Sequence, residues 1–198
     1  MSLQAIRKAM ESLKNPEKAK ATMRFFKCEP GKYGEGDEFM GLTNPECRQI
    51  AKTNKNLSEE DIEELLTWKY HEERSVAPMI MVERAKKKDE LKPMYELYLR
   101  NLKAINNWDL VDISAPHIIG TYILENASGF AEITDKKDPR NNLYLWVKSP
   151  VLWERRISIL STWPMIKAGH FWDTLKISKM LLGDKEDLMH KAVGWMLR

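Results

Sequence analysis

The sequence predicts an all-α protein, on three observations. Apolar residues recur at three- and four-residue spacing along most of the chain. Those periodic stretches begin at recognisable helix-start signals. No stretch shows sustained strand alternation bounded by hairpin turns. Helices of ordinary length joined by short loops suggest consecutive antiparallel pairs, and hence a helical solenoid. No strict repeat of fixed period is visible, and a compact globin-like packing is the other arrangement the pattern allows.

In order, Leu3, Ile6, Met10 and Leu13 mark the first helix. Asn15-Pro16-Glu17 supplies a cap, a proline at the first helical position and an acid in the first turn, opening a helix to about Lys27. Residues 29–43 read as a loop, with Gly31, Gly34 and Gly36 free to turn or to let the backbone approach closely. Asn44-Pro45-Glu46 repeats the cap signature for a helix to about Asn54, and Ser58-Glu59-Glu60-Asp61 is a capping box for one through Trp68. Residues 71–87 form a longer helix whose Pro78 predicts a kink. Lys86-Lys87-Lys88 closes it where cations suit the helix dipole. Helices follow over 89–102, from Trp108, and from Pro116 through Leu124. Residues 126–142 are polar and broken, with Asp138-Pro139 as another helix start. The last helices are predicted over 140–148, 150–162, 170–182 and 185–198. The pattern stops in mid-helix at Trp195-Met196-Leu197-Arg198 with no C-cap, so the natural chain is expected to continue.

At 198 residues the chain can form one domain with a sizeable core. With 43% hydrophobic and 31% charged residues it is globular, and its apolar runs fall far short of a membrane span. Cys28 and Cys47 are too few for a disulfide framework, which makes a reducing cytoplasm the default. His71, His117, His170 and His190 lack metal-ligand spacing, so no metal site is expected from them. A net charge of +3 permits nucleic-acid binding without arguing for it. Eleven Met suit bundled helices as gap-fillers, but seven Trp exceed what a core of this size needs, so some indoles are expected to line a site.

The stretch Asn106-Asn107-Trp108-Asp109-Leu110-Val111-Asp112 is the strongest candidate for that site. Trp108 and Asp112 are spaced i, i+4 and share a helix face. They pair a flat π surface with a negative charge, while Leu110 and Val111 point elsewhere and can anchor the helix. A carboxylate beside an indole is an awkward core element but a good receiver for something flat and cationic.

These residues resemble the AlkD-like DNA alkylation repair proteins, DNA glycosylases with HEAT-like repeats. The likeness rests on an ordered set: Asn15-Pro16-Glu17-Lys18-Ala19, Tyr33-Gly34-Glu35-Gly36-Asp37 with Phe39 and Gly41, and Pro45-Glu46 with Arg48. It continues through Trp108-Asp109-Leu110-Val111-Asp112, Trp153 with Arg155-Arg156, and Lys191-Ala192-Val193-Gly194-Trp195 with Leu197-Arg198. The resemblance implies a right-handed superhelical solenoid of HEAT-like (ARM-type) antiparallel helix pairs whose concave face binds duplex DNA, with residues 1–198 a single domain that lacks the family's C-terminal helix pair. It also implies excision of N3- and N7-alkylated purines by a monomer working in the cytoplasm at the nucleoid. Carried over by motif, the active positions are Trp108, Asp112, Arg156 and Trp195. Phe25 falls where relatives often place a tyrosine near the lesion.

The chemistry this family resemblance implies requires no cofactor. An alkylated purine carries a positive charge and departs as a neutral base, so no acid need protonate it. A carboxylate near the sugar, Asp112, can stabilise the oxocarbenium-like centre and position a water. Trp108 and Trp195 can pack on the cationic nucleoside, and Arg156 can hold a flanking phosphate bidentately. Arg48, Lys52, Lys103, Arg155 and Lys191 are candidate phosphate contacts. Each residue also has a structural reading: Asp112 as a cap or ion-pair partner, both indoles as core, Arg156 paired with Glu154 or an acidic neighbour. Asp109 reads as structural and His190 as a surface residue. Two rivals share the scaffold: a non-catalytic protein that binds branched or distorted DNA, and a protein-interaction solenoid.

Overall fold

The computed structural model describes residues 2–198. The protein is all-α: among the described residues the β content is a single bridge between Glu38 and Tyr70. The helices are α1 Leu3–Ser12, α2 Pro16–Phe25, α3 Asn44–Thr53, α4 Glu59–Leu66 and α5 His71–Ala85. They continue as α6 Lys88–Arg100, α7 Trp108–Ser114, α8 Thr121–Asn126, α9 Asn141–Trp146 and α10 Leu152–Leu160. The last three are α11 Trp163–Lys167, α12 Trp172–Leu181 and α13 Asp187–Met196. A 3₁₀ turn covers Leu102–Ala104 and a π turn Pro116–Gly120. The helices group into two compact units, one running to Lys87 and the other from Lys88 to Arg198.

In the first unit α3 and α4 both pack on α5. The stop and start signals act locally. Asn15 accepts from the Lys18 amide (3.0 Å) and Ser58 from the Asp61 amide (3.1 Å). At α3 the cap sits one residue earlier than the sequence suggests. Thr43 donates to Glu46 through its amide (2.7 Å) and its hydroxyl (2.6 Å), leaving Asn44 as the first helical residue. Helix α5 is buried nearly all round and runs on through Pro78. Its first turn carries Glu72, 5% exposed, which accepts from the amides of Met40 (2.9 Å), Gly41 (2.7 Å) and Leu42 (3.2 Å). That carboxylate clasps the end of the 29–43 loop onto the core. The glycines of the loop divide by role. Gly31 and Gly36 turn the chain at positive φ in open space, whereas Gly34 and Gly41 pass against backbone.

In the second unit α10 packs on α7, α9, α12 and α13. The sequence suggests a fresh helix at Pro116, but the backbone stays helical from α7 through Ala115 into α8. Proline has no N–H to give the preceding turn, so the chain widens there, and the Gly120 amide reaches the Ala115 carbonyl at 2.9 Å. The short helix α11 has no counterpart in the sequence reading. The helix expected over 140–148 begins at Asn141, after a turn in which the Asp138 carboxylate accepts from the Arg140 amide (2.9 Å).

Candidate active site

Helix α7 begins where Asn107, fully buried, accepts the Trp108 amide on its side-chain oxygen at 2.8 Å. Leu110 and Val111 have no exposure and fix the inner face of the helix. One turn on, Ser114 bonds both the Leu110 carbonyl and the Tyr98 hydroxyl (3.2 Å), which ties α7 to α6. Burial, with Asp112 nearby, holds the Tyr98 phenol well above its ordinary pKa, so it serves as a neutral hydrogen-bonding post. With the inner face so anchored, Trp108 and Asp112 lie toward the boundary of the unit and are both partly exposed.

The partner of Asp112 comes from α10. Arg156 Nε lies 2.8 Å from Asp112 Oδ1 and Nη2 lies 2.9 Å from Oδ2, a fork-to-fork pair. The third nitrogen, Nη1, donates to the Leu188 carbonyl at 2.6 Å. One guanidinium therefore joins three helices, α7, α10 and α13. The Asp112 side chain is 19% exposed and that of Arg156 only 6%. Burial pushes the Asp112 carboxyl above its usual range, the Arg156 fork pulls it down, and Asp109 adds to the upward push.

Of the two readings of Arg156, phosphate contact and ion pair with an acidic neighbour, the geometry matches the second, with Asp112 as the neighbour. A guanidinium so enclosed, with its fork on Asp112 and its remaining arm on a main-chain carbonyl, is not presented to a phosphate. It orients the carboxylate. Arg155 is likewise spent internally. Its Nε lies 2.6 Å from Asp184 Oδ2, and Nη1 donates to the carbonyls of Ser149 (3.0 Å) and Pro150 (3.1 Å). His190 reaches the Asp184 carbonyl at 2.7 Å through Nε2. Arg155 thus secures the turn that launches α13, and Arg156 secures the first turn of that helix.

Trp195 stands on α13, 46% exposed. It follows Leu188 by seven residues, two helical turns, so the two share a face. Lys103 is exposed in the turn preceding α7, and Lys191 pairs with Asp187 (2.7 Å) on the solvent side of α13. In the other unit Phe25 is 67% exposed at the end of α2, edge-on to Phe26. Arg48 and Lys52 are exposed one turn apart on α3. Neither they nor Lys103 meet a carboxylate among the described residues. The sequence reading missed Tyr98, Ser114 and the Leu188 carbonyl. A polar pair at i and i+16 and a main-chain acceptor leave no local pattern, whereas the Asn107 cap, equally missed, had a local signal in an asparagine directly before the helix.

The sequence model of a family described as "DNA alkylation repair enzyme" matches residues 6–198. The chain belongs to that family. A solved structure described as a predicted DNA alkylation repair enzyme from Enterococcus faecalis has the same fold. It superposes with a TM-score of 0.63 at 19% identity, covering 93% of this chain and 81% of its own. No curated protein matched. Membership supports a role in repair of alkylation damage, with DNA as the substrate. Among the described residues no three His, Cys, Asp or Glu side chains gather as a metal site, and no helix is long and apolar enough to cross a membrane.

Proposed function

We propose that the protein is a DNA glycosylase that excises positively charged N3- and N7-alkylated purines from duplex DNA, with Asp112 as the catalytic carboxylate. The observation behind this reading is the Asp112–Arg156 pair: a carboxylate at the unit's boundary, locked in orientation, with Trp108 one turn before it. In an alkylpurine nucleotide the bond from C1′ to the base nitrogen breaks heterolytically. Its electron pair leaves with the cationic base, which departs neutral. The deoxyribose carries the positive charge, and each Asp112 oxygen keeps a lone pair beyond the one on Arg156. The carboxylate can face C1′ and accept a proton from the water that attacks it. Trp108 and Trp195 offer π faces to the cationic base. Arg156 is a positioning residue. Phe25, Arg48, Lys52 and Lys103 are the proposed DNA contacts, and Lys191 joins them if duplex phosphate displaces Asp187. The reading includes a monomer acting at the nucleoid.

The test is product identity. Incubated with methylated duplex, the protein should release intact 7-methylguanine or 3-methyladenine and leave abasic DNA. Appearance of unmodified guanine or adenine in the strand would instead indicate dealkylation. Salt-sensitive binding with no base released would indicate a DNA-structure binder. Either result would end the glycosylase reading.

A further inference from the structure

The polar segment 126–142 takes no part in the site above, yet it is the most heavily tied loop of the second unit. Its hub is Arg140, 1% exposed. Nη2 lies 2.9 Å from Asp138 Oδ2, and Nη1 reaches the Ala131 carbonyl (3.0 Å) and Asp173 (3.3 Å). Ser128 donates its hydroxyl to Asp138 (2.8 Å), and Tyr144 donates to Asp173 (2.6 Å). Asn141 binds back to the carbonyls of Asp135, Lys136 and Asp138. So many bonds on one loop, with those of Arg140 to Asp138 and Asp173 buried, give its outer surface a fixed shape.

That surface walls a cavity of about 440 Å³, large enough for a small ligand. Tyr95 and Tyr122 line one part of it, their rings stacked on each other 3.8 Å apart, with Tyr95 buried behind the partly exposed Tyr122. Asn126 and Asn142 bring amides, with the Asn142 Nδ2 donating to the Tyr95 hydroxyl at 2.9 Å. Lys136 and Lys137 bring two ammonium groups without a carboxylate partner among the described residues. The one carboxylate in the lining, Asp138, is paired with Arg140, which Asp173 shares. The cavity therefore has two lysines at its edge, a tyrosine ring on one side, and two amides whose nitrogens hold Tyr122 and Tyr95 while their oxygens face no partner among the described residues. Two lysines consecutive in sequence on one edge match the dianionic charge of a phosphate monoester better than that of a single carboxylate. An aromatic wall with amides beside it is what a heterocyclic base takes: stacking on its face and hydrogen bonds at its edge.

We propose that this cavity is a nucleotide-binding site, taking the phosphate on Lys136 and Lys137 and the base against the Tyr122 ring that Tyr95 backs. It shares no residue with the Asp112 site, so it stands or falls independently of the glycosylase reading. The phosphate and base could come from a free mononucleotide or from the phosphorylated end of a DNA strand.

The experiment is calorimetric titration of the whole chain with adenosine 5′-monophosphate, adenosine and inorganic phosphate. The mononucleotide should bind at least tenfold more tightly than either fragment. The double variant Lys136→Gln, Lys137→Gln should weaken it at least tenfold at an unchanged melting temperature, since both side chains are exposed. Displacement of the mononucleotide by a 5′-phosphorylated single strand identifies a strand end as the ligand, and its failure to displace identifies a free nucleotide. Either result supports the site. No mononucleotide binding at millimolar concentration overturns the proposal. So does equal binding of inorganic phosphate, or binding untouched by the double substitution.

Discussion

Asp112 is held between opposing influences: burial and the charge of Asp109 raise its carboxyl, and Arg156 lowers it. The balance lies on the raised side, and the chemistry proposed for it needs the ionised form. Base release should therefore climb with pH through an inflection above that of a solvent-exposed aspartate and level off at neutrality. Replacing Arg156 by Gln removes the lowering influence, so the inflection should move to higher pH. The plateau should fall about tenfold or more as the carboxylate loses its fixed orientation. An unmoved pH profile would show that Arg156 acts only as a brace. Asp37 shows the opposite balance. Burial raises it, but His71 and Arg74 outweigh that and bring it to about 2. A folded-state value below the unfolded one means stability that is full above about pH 4 and lost as pH falls through about 2, worth about 2 kcal/mol. Asp37→Asn should lower the melting temperature at pH 7. Its deficit against the parent should close as the pH drops toward 2.

Among the elements, what was legible followed distance along the chain. Asn15, Ser58 and the Asn107 start of α7 act on amides within three residues, and a sequence shows such pairs side by side. The i, i+4 relation of Trp108 and Asp112 was equally local. The partner of Asp112 lies 44 residues away and the main-chain acceptor of Arg156 another 32, so Arg156 could be named from a motif but its job could not. The Glu72 clasp on Met40–Leu42 is also remote in sequence, which is why the ordering of the 29–43 loop was invisible. The π turn at Pro116 escaped because a proline reads as a start when its surroundings are not in view. Gly41 offers a sharp test of the clasp. Its φ is +87°, and a Cβ there would sit 2.1 Å from the Asn15 carbonyl oxygen. Gly36 has nearly the same φ, +82°, in open space. Gly41→Ala should cost several kcal/mol and Gly36→Ala about 1–2 kcal/mol. Equal losses in a thermal melt would mean that the loop is not held against α2 as described.

For the molecule as a whole, a charge of +3 spread over 198 residues gives no strong general pull on DNA. Affinity then has to come from particular cations, and Arg48 and Lys52 are exposed neighbours without acidic partners. Changing both to Gln should weaken duplex binding about equally for damaged and undamaged DNA. It should also reduce the slope of log affinity against log salt by about two. An unchanged slope would take α3 out of the interface. Family membership sets the damage class, the fold places a locked carboxylate on α7, and the central claim joins them: Asp112 hydrolyses the bond to the alkylated base. The most direct measurement is single-turnover release of 7-methylguanine from a duplex carrying one lesion, for the parent and for Asp112→Asn, with binding of the same duplex measured alongside. The account predicts release by the parent, a loss of about 10² to 10⁴-fold in the variant, and nearly equal binding by both. Equal release by the two proteins would contradict it.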